Sequence, residues 1–315
     1  MKICILGAGA LGSAIGGTLA ASGADVTLVS RTQAHVDAIN RDGLTLVSGN
    51  GETTVKVKAA TTCRGLTLAD LVIVLVKSLA TREAVASVMP IVTPDTVVMS
   101  LQNGLGHEDI VSAVVGRERT MAGKTYVGGV YLAPGRVIAG TQDKLTVIGE
   151  LDGCVSARAL AIAAIFETAG LRCQVSDNIV GTMWDKLLIN VSTGAISGVT
   201  GLAYGPLYGV SECEATGIAA VEEAMAVARA AGVGLSIATA REAWLMAAAG
   251  LPDEFKTSML QSLERGSVTE IDYINGAVVR GGKRYGVPTP VNATLVACIK
   301  GVERRLQETA KGAVQ

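Results

Sequence analysis

KICILGAGALGSAIGGTLAASG, residues 2–23, is the stretch that decides the fold class of this chain. Residues 2–6, in which a short apolar run follows Lys2, predict a β-strand. Residues 10–21 predict a helix that ends at Ser22-Gly23, where glycine supplies a left-handed cap. Between them lies a G-x-G-x-x-G turn made by Gly7, Gly9 and Gly12. A strand, this turn and a helix in that order are typical of the first unit of a dinucleotide-binding α/β domain.

The three glycines have separate roles in such a turn. Gly7 permits the tight bend, Gly9 lets the backbone approach a pyrophosphate, and Gly12 allows the helix to pack closely. Ala10 and Leu11 lie in the first turn of the helix, whose N-terminus attracts anions. A purely structural turn is the alternative, because glycine is abundant, at 38 of 315 residues. The position directly after an N-terminal strand favours the dinucleotide site.

The end of the second strand, predicted over residues 25–30, indicates which dinucleotide binds. An acidic residue there usually accepts a hydrogen bond from the ribose 2′-hydroxyl of NAD, whereas an arginine accommodates the 2′-phosphate of NADP. This chain reads Val29-Ser30-Arg31-Thr32, without an acid. The pattern favours NADP(H), with Arg31 as the phosphate ligand. A solvated loop cation is the alternative role for Arg31.

Strand and helix patterns alternate through the first half of the chain, which predicts a parallel sheet with crossover helices. Residues 71–76 and 96–101 are continuous apolar runs, typical of strands buried on both faces. Residues 44–47 and 53–59 flank Gly49-Asn50-Gly51 and predict an inserted hairpin. A strand over residues 120–127, a second hairpin over residues 136–148 and a helix over residues 155–169 follow.

Strand signals almost stop after this point, and helical periodicity takes over, for example at residues 215–231 and 238–249. We therefore predict an α/β protein with two domains. Residues 1–177 form a Rossmann-type parallel-sheet domain that binds NADP(H), and residues 178–315 form an all-helical substrate and catalytic domain.

Composition excludes several classes of partner. The chain has 27 basic and 28 acidic residues without long runs of either sign, which argues against nucleic acid or an anionic membrane. Its apolar runs are shorter than the roughly 20 residues that cross a bilayer. The six cysteines are scattered without a C-x-x-C spacing, which predicts reduced core residues of a cytoplasmic protein and no metal site. A small molecule is the expected ligand.

A helical reading of residues 183–190 places Lys186 and Asn190 one turn apart on one face. A lysine and an amide on an otherwise apolar helix can polarise a carbonyl and hold a neighbouring oxygen. A lysine whose stem packs while its ammonium reaches solvent is the alternative. The two histidines, His35 and His107, are predicted to be structural rather than catalytic.

The segments Ser-Met-Leu-Gln at 258–261 and Thr-Glu-Ile-Asp-Tyr-Ile-Asn-Gly at 269–276 resemble the C-terminal signature of the ketopantoate reductase family. The resemblance extends over nearly the whole chain. It includes the glycine turn, Arg31, Val76-Lys77, Gln102-Asn103-Gly104 and the Lys186-x-x-x-Asn190 helix.

This resemblance implies NADPH-dependent reduction of a small 2-oxo acid, 2-dehydropantoate, to pantoate in the biosynthesis of pantothenate and coenzyme A. It also implies roles for single residues: Lys186 and Glu270 in catalysis, Asn190 and Ser258 in substrate binding, Asn103 beside both substrate and nicotinamide, and Lys77 near the cofactor. Considered alone, Glu270 would be an exposed helix carboxylate.

One position departs from the family pattern. The resemblance implies a second asparagine four residues after Asn190, where this chain has Gly194. Reduction of another branched or aromatic 2-oxo acid therefore stays open. A β-hydroxyacid dehydrogenase, which shares the two-domain plan and a Lys-x-x-x-Asn helix, and an NADP(H)-binding sensor without turnover are further alternatives. The sequence also leaves open whether the protein is a homodimer.

Overall fold

A computed structural model describes residues 1–49 and 51–312 and divides them into two compact units. The first unit comprises Met1–Gln102 and His107–Val180. The second comprises Asn103–Gly106 and the chain from Gly181 onward. The domain boundary between residues 177 and 178 stays a prediction. The sequence did not predict that the short segment 103–106 belongs to the second unit.

The first unit contains all the strands of the described chain and five of its helices. The strands are β1 (Lys2–Leu6), β2 (Asp25–Val29), β3 (Leu44–Ser48), β4 (Gly51–Val55), β5 (Lys58–Ala60), β6 (Leu71–Val74), β7 (Val97–Ser100), β8 (Thr120–Thr125), β9 (Gly128–Ala133), β10 (Arg136–Gly140), β11 (Thr146–Glu150) and β12 (Cys173–Val175). The helices are α1 (Ala10–Ala21), α2 (Gln33–Asp42), α3 (Thr81–Ser87), α4 (His107–Val115) and α5 (Ala157–Thr168).

Eight of these strands form one sheet in the order β12-β11-β8-β7-β6-β1-β2-β5. In this sheet order, all neighbouring strands from β8 to the β5 edge pair in parallel. On the other side of β8, β11 pairs with it in antiparallel orientation. Ile3 and Ile5 of β1 belong to the core on the face with α1 and α5, whereas Cys4 and Leu6 belong to the core on the face with α3 and α4. Burial on both faces explains why the central strands are continuous apolar runs.

A smaller sheet in the order β4-β3-β10-β9 packs on α1. The close approach uses glycine: a Cβ at Gly17 would lie 2.7 Å from Leu44 Cδ2, and one at Gly129 would lie 2.7 Å from the carbonyl oxygen of Ala10. The predicted hairpin after residue 44 is confirmed by the antiparallel pair of β3 and β4. Asn50, part of the predicted Gly49-Asn50-Gly51 turn, lies outside the described residues.

The predicted hairpin over residues 136–148 is wrong. Instead, β10 pairs with β9, and β11 pairs with β8 in the main sheet. The turn is Pro134-Gly135, where Gly135 has a φ of 72° in the left-handed region. Proline followed by glycine is a strong turn signal, so the hairpin could have been placed one strand earlier.

The described residues of the second unit form helices joined by loops, without strands. Its helices are α6 (Ile179–Thr200), which begins at the unit boundary, α7 (Tyr204–Tyr208), α8 (Ser211–Ala230), α9 (Ala240–Ala248), α10 (Ser258–Glu264), α11 (Asn275–Tyr285) and α12 (Pro290–Gly312). Gly198 lets α6 approach its neighbours, because a Cβ there would lie 2.8 Å from Ile299 of α12 and 3.2 Å from Leu263 of α10. The predicted α/β fold with a helical second part is confirmed.

Two further properties were predicted for the whole chain. In the described residues, no helix combines the length and apolar character that a membrane span requires. The six cysteines are all free thiols, but Cys154 and Cys298 are exposed, so the predicted core placement is wrong for these two. Cys154 lies in the loop before α5, and Cys298 lies on α12. At neither position does an apolar neighbour in sequence mean that the cysteine side chain itself faces the core.

Candidate active site

The loop between β1 and α1 has a backbone path that requires glycine at two positions. Gly7 has a φ of 103°, in the left-handed region, and a Cβ there would lie 2.6 Å from the backbone nitrogen of Val76. A Cβ at Gly12 would lie 2.3 Å from the carbonyl oxygen of Gly7. The first glycine therefore makes the bend, and the third lets α1 close onto it.

Gly9 differs from its neighbours because the space beside it is open. Its φ of −81° suits any residue, and no described atom lies within 4 Å of the position that a Cβ would take. The amides of Gly7 and Ala8 are already used, since both donate to the carbonyl oxygen of Val29, at 2.9 and 2.8 Å. The loop is thus fixed to β2 on one side and open at Gly9 on the other.

The first turn of α1 offers backbone amides to this open space. Within the described chain, no side chain caps the helix at Gly9. The first amides of a helix have no partner inside the helix, and its dipole adds a partial positive charge. Ala10 and Leu11 lie in this turn, so the residues present fit the pyrophosphate of a dinucleotide.

Two predicted cofactor cations lie at the carboxyl edge of the parallel strands. Arg31 follows β2 and Lys77 follows β6, and both are exposed. Arg31 lies in the short connection before α2, whose N-terminal cap is Thr32. An exposed guanidinium at the tip of β2 is free to form a bidentate pair with a phosphate.

Gln102 holds this edge together, a role that sequence reasoning missed. Its side-chain amide donates to the carbonyl oxygen of Val76 at 2.8 Å and to the hydroxyl of Thr81 at 2.9 Å. Its side-chain oxygen accepts from Ser100 Oγ at 3.0 Å. The ends of β6 and β7 and the start of α3 are therefore tied by one side chain. A polar residue directly after a buried strand was the available signal.

In the second unit, α6 carries Lys186 and Asn190 one turn apart, and both are half-buried. Leu187 and Leu188 between them are buried, which fixes the rotation of the helix. Asp185, next to the lysine, accepts from the backbone amides of Ser236 and Ile237 at 3.1 and 3.2 Å. The lysine and the amide thus share a helix face, as the spacing predicts.

Gly194 lies one turn after Asn190 on the same face of α6, next to the segment that contains Ser258 and Met259. A Cβ at Gly194 would have one described neighbour within 4 Å, the terminal methyl of Met259 at 3.9 Å. Ser258 begins α10 and is exposed, while Met259 is buried against α6. The helix α10, which begins at Ser258, therefore contacts the helix that carries Asn190 through Met259.

Glu270 lies in a non-helical stretch, half-buried, directly before a short 3₁₀ turn over Ile271–Tyr273. This segment is fixed at both ends. Thr269 donates through its amide and its hydroxyl to Glu303, each at 2.7 Å, and Asp272 pairs with Lys300 at 2.6 Å. Burial acts to lower the pKa of Lys300, but Asp272 and Glu303 outweigh it and raise that pKa.

The Asn103 loop packs on the same segment. The amide of Leu105 donates to the carbonyl oxygen of Tyr273 at 2.9 Å. Gly104 has a φ of 91°, and a Cβ there would lie 2.4 Å from that same oxygen. Asn103 and Glu270 are therefore brought to one region of the second unit, although more than 150 residues separate them in sequence.

A buried polar network supports the signature segment and was missed from the sequence. Asn275 and Asn292 are both fully buried, and the side-chain amide of Asn275 donates to the side-chain oxygen of Asn292 at 3.0 Å. Asn292 donates to Glu223 at 2.7 Å, and Glu223 also accepts the amides at the start of α12. Side chains from α8, α11 and α12 thus meet through long-range contacts that no local pattern indicates.

The predicted residues fall into two groups. Gly7, Gly9, Gly12, Arg31 and Lys77 belong to the first unit, together with Ala10 and Leu11. Lys186, Asn190, Ser258, Glu270 and Asn103 belong to the second. No cluster of histidine, cysteine or carboxylate side chains suited to a metal ion occurs in the described residues.

Two family models cover most of the chain. A model described as ketopantoate reductase PanE/ApbA matches residues 3–153, and its C-terminal counterpart matches residues 178–303. The 2-dehydropantoate 2-reductase of Pyrococcus horikoshii is 34% identical over 303 residues, covering 96% of this chain and 98% of the relative. That of Halobacterium salinarum is 32% identical over 305 residues, covering 96% and 99%.

Solved structures show the same likeness. A PanE/ApbA family ketopantoate reductase from Ralstonia eutropha is 35% identical, with a TM-score of 0.89 over 98% of this chain and 100% of that one. D-mandelate dehydrogenase, solved with NADH and anilino(oxo)acetate, is 28% identical, with a TM-score of 0.90 over 98% and 100%. The chain belongs to the ketopantoate reductase family, whose members are NAD(P)-dependent oxidoreductases acting on a CH–OH group.

Proposed function

We propose that this protein reduces 2-dehydropantoate to pantoate with NADPH as the hydride donor. The observation that carries the proposal is the shared face of Lys186 and Asn190 on α6, in a chain whose other unit has an open glycine loop at a helix N-terminus. The relatives named above as 2-dehydropantoate 2-reductases match over nearly their full length, which supports the same substrate.

NADPH is proposed as the cofactor because of Arg31. No acidic side chain follows β2 to accept a hydrogen bond from a ribose 2′-hydroxyl, and the exposed guanidinium suits a 2′-phosphate. The D-mandelate dehydrogenase structure holds NADH, so the preference between the two cofactors is specific to each chain. Lys77, exposed after β6, is the second cation available to the cofactor.

The chemistry requires a hydride at the substrate's C2 and a proton at its carbonyl oxygen. When bound, the reduced nicotinamide supplies the hydride. Lys186, as an ammonium, stabilises the negative charge that develops on the oxygen and donates the proton that completes the alcohol. Burial of Leu187 and Leu188 holds its helix in place and so fixes the point from which the lysine side chain extends.

The remaining side chains bind and orient the substrate. Asn190, one turn from the lysine, and Ser258, beside the same helix, offer neutral donors to the carboxylate and the hydroxyl. Glu270 accepts from the substrate hydroxyl and orients the lysine, and its segment is kept in register by the bonds of Thr269 and Asp272. Asn103 is held by the contact of its loop with Tyr273.

Steady-state oxidation of NADPH, followed at fixed enzyme with 2-dehydropantoate, tests the proposal. We expect turnover that saturates with substrate and yields pantoate. Binding of NADPH without oxidation by any 2-oxo acid would instead identify a sensor. Turnover with a 3-hydroxy acid and NADP⁺, but none with 2-dehydropantoate, would identify a β-hydroxyacid dehydrogenase.

A second candidate substrate class follows from Gly194. A Cβ at this buried position would have one described neighbour within 4 Å, at 3.9 Å, so contacts at the Cβ do not force the absence of a side chain. Without that amide, the site holds one donor fewer for a substrate hydroxyl. A 2-oxo acid with an apolar branched or aromatic group is therefore the alternative, and the likeness to D-mandelate dehydrogenase agrees with it.

A further inference from the structure

His35 is a buried titratable side chain that the proposed chemistry does not use. It lies on α2 with no exposed surface. Its Nε2 lies 3.1 Å from Ser13 Oγ on α1, and its Nδ1 accepts the backbone amide of Gly135, in the β9–β10 turn, at 2.9 Å. Its ring also contacts Tyr131 of β9, with 5.1 Å between ring centroids. One imidazole thus connects three elements around the glycine loop.

The contact with Gly135 determines where the imidazole carries its hydrogen. A backbone N–H can only donate, so Nδ1 must present a lone pair and carry no hydrogen. A neutral imidazole then has its hydrogen on Nε2, which donates to Ser13 Oγ. The Ser13 hydroxyl in turn donates to the carbonyl oxygen of Ala8, at 3.3 Å. The bonds run in one direction, from the Gly135 amide to the carbonyl of Ala8.

That carbonyl belongs to the peptide that sets the path of the glycine loop. The Ala8 carbonyl and the Gly9 amide are two ends of one planar peptide unit. The Gly9 amide donates to the carbonyl oxygen of Gly7 at 2.8 Å, and Ser13 holds the opposite end. The orientation of this peptide fixes the open side of Gly9, where a pyrophosphate would lie. A loop held in its binding conformation before the ligand arrives costs less to order on binding.

We infer that His35, as the neutral tautomer with hydrogen on Nε2, is a positioning residue that fixes the glycine loop for dinucleotide binding through Ser13. The inference rests on the proposed function only in that the loop binds a dinucleotide. His35 touches neither the cofactor's nor the substrate's reacting atoms in this scheme. It acts through Ser13 and the peptide between Ala8 and Gly9.

Protonation of the ring would break the connection. A second hydrogen, on Nδ1, would point at the Gly135 amide, so two donors would face each other. The surroundings oppose this: burial lowers the pKa of His35, and the titratable group that meets the ring is the phenol of Tyr131. The charged side chains of α2 (Asp37, Arg41 and Asp42) and of the adjacent β5 (Lys58) are exposed, and Arg136, which follows Gly135, pairs with Glu52. The neutral ring is therefore maintained at neutral pH, and dinucleotide affinity should fall in acid.

Four variants of the full-length protein test the inference: Ser13→Ala, His35→Asn, His35→Gln and the control Val36→Ala, which removes buried volume from the same helix without touching the bonds. The glutamine amide can reach the position of Nε2 and donate to Ser13, whereas the shorter asparagine reaches only the position of Nδ1. The readouts are the dissociation constant for NADPH by fluorescence titration, kcat at saturating NADPH, and hydrogen exchange of the loop amides without ligand.

We expect Ser13→Ala and His35→Asn each to weaken NADPH binding by about tenfold, the order for losing one buried hydrogen bond. Turnover at saturation should stay within about twofold, since the reacting groups are untouched. His35→Gln should bind nearly as the unmodified protein does and should keep only the acid dependence that protonation of the NADPH 2′-phosphate itself imposes. The double variant Ser13→Ala/His35→Asn should be no worse than either single change, because both interrupt one chain of bonds.

Three outcomes would overturn the inference. The first is NADPH affinity unchanged in folded Ser13→Ala. The second is additive losses in the double variant. The third is equal losses in Val36→Ala and His35→Asn, which would make the effect one of packing alone. If the unmodified protein binds neither NADPH nor NADH, the proposed function fails before the inference is reached, so the two failures are distinguishable.

Discussion

The proposed preference for NADPH rests chiefly on Arg31. Replacing it with alanine removes the guanidinium that suits a 2′-phosphate, so the KM for NADPH should rise by about tenfold or more while that for NADH stays almost unchanged. Arg41→Ala, which removes an exposed arginine at the other end of α2, is the matched control. Equal use of both cofactors by the unmodified enzyme would contradict the assignment.

The proposed proton transfer to the substrate depends on Lys186, in the second unit. Lys186→Ala should lower kcat by on the order of 10² or more, the usual scale for losing a positioned proton donor. Affinity for NADPH should survive, because the glycine loop belongs to the other unit. Lys283→Ala, an exposed lysine on α11, provides the control. Near-normal turnover in a folded Lys186→Ala protein would assign the proton to another group.

For single residues, the sequence predicted those features that depend on spacing along a short stretch of chain. The turn made by Gly7, Gly9 and Gly12 could be predicted because strand, turn and helix are contiguous in the chain. His35 could not, since its partners Ser13 and Gly135 are 22 and 100 positions away and meet it only in the folded sheet. Glu270, predicted from its residue type alone to be an exposed helix carboxylate, is half-buried before a 3₁₀ turn.

The first helix and its loop permit a paired prediction that separates folding from binding. In Gly12→Ala the added Cβ would lie 2.3 Å from a backbone oxygen, so the protein should lose about 1–3 kcal/mol of stability, the range for overpacked sites. In Gly9→Ala the added Cβ meets no described atom within 4 Å, so the melting temperature should be unchanged. That methyl group would instead occupy the space open to the pyrophosphate.

Thermal unfolding and NADPH titration of both variants check this pair. We expect Gly9→Ala to fold normally and to bind NADPH at least about tenfold more weakly, because its Cβ blocks the approach of the phosphates to the helix N-terminus. Full NADPH affinity in Gly9→Ala would show that the dinucleotide does not cross this loop. A stable Gly12→Ala would show that α1 can shift away from Gly7.

Whole elements were easier to predict than their pairing. The runs that became β1, β6 and β7 are apolar except for Lys2 and Ser100, as strands buried on both faces require. The partner of β10 was misassigned because β9 and β11 both flank it with apolar residues, and sequence distance does not say which lies alongside. The short segment 103–106 joined the helical unit through its contact with Tyr273, a contact 168 residues distant between Leu105 and Tyr273.

For the whole molecule, two groups predict that stability falls as the solution becomes acidic. Burial lowers the pKa of His35 from 6.5, so the unfolded chain binds this proton more readily. Burial would raise the pKa of Glu150, but hydrogen bonds from Arg158 and Ser156 outweigh it and hold that pKa below 4.5. In both cases the unfolded state takes up more protons, so the free energy of unfolding decreases with falling pH.

The two contributions occupy different pH windows. The part due to His35 is present above pH 6.5 and is lost as pH falls from there through the folded pKa, whereas the part due to Glu150 is lost below pH 4.5. Melting temperatures measured across this range should decline in two stages. His35→Gln should remove the upper stage and leave the lower one. An upper stage that persists in His35→Gln would assign it to another group.

The choice of substrate depends on residues that come from several segments of the second unit. Gly194 departs from the family pattern, so the identity of the 2-oxo acid is the property to test. With Asn190, Ser258 and Glu270 available to hold a carboxylate and a hydroxyl, we expect 2-dehydropantoate to be preferred over 2-oxoisovalerate, which lacks the hydroxyl, by roughly 10² or more in kcat/KM. The physical reason is that polar groups left unpaired by the smaller substrate are costly when buried. Benzoylformate serves as the aromatic comparison, with all three measured at saturating NADPH.

Gly194→Asn sharpens this comparison, because its Cβ has one described neighbour at 3.9 Å and α6 should accommodate it. If 2-dehydropantoate is the substrate, the added amide lies one turn beyond Asn190 and should maintain or increase the preference for it over 2-oxoisovalerate. If instead the unmodified enzyme reduces 2-oxoisovalerate or benzoylformate at least as fast, and Gly194→Asn lowers those rates, the absence of a side chain at residue 194 is what admits the apolar group. The protein would then be a reductase of apolar 2-oxo acids that retains the lysine chemistry of its family.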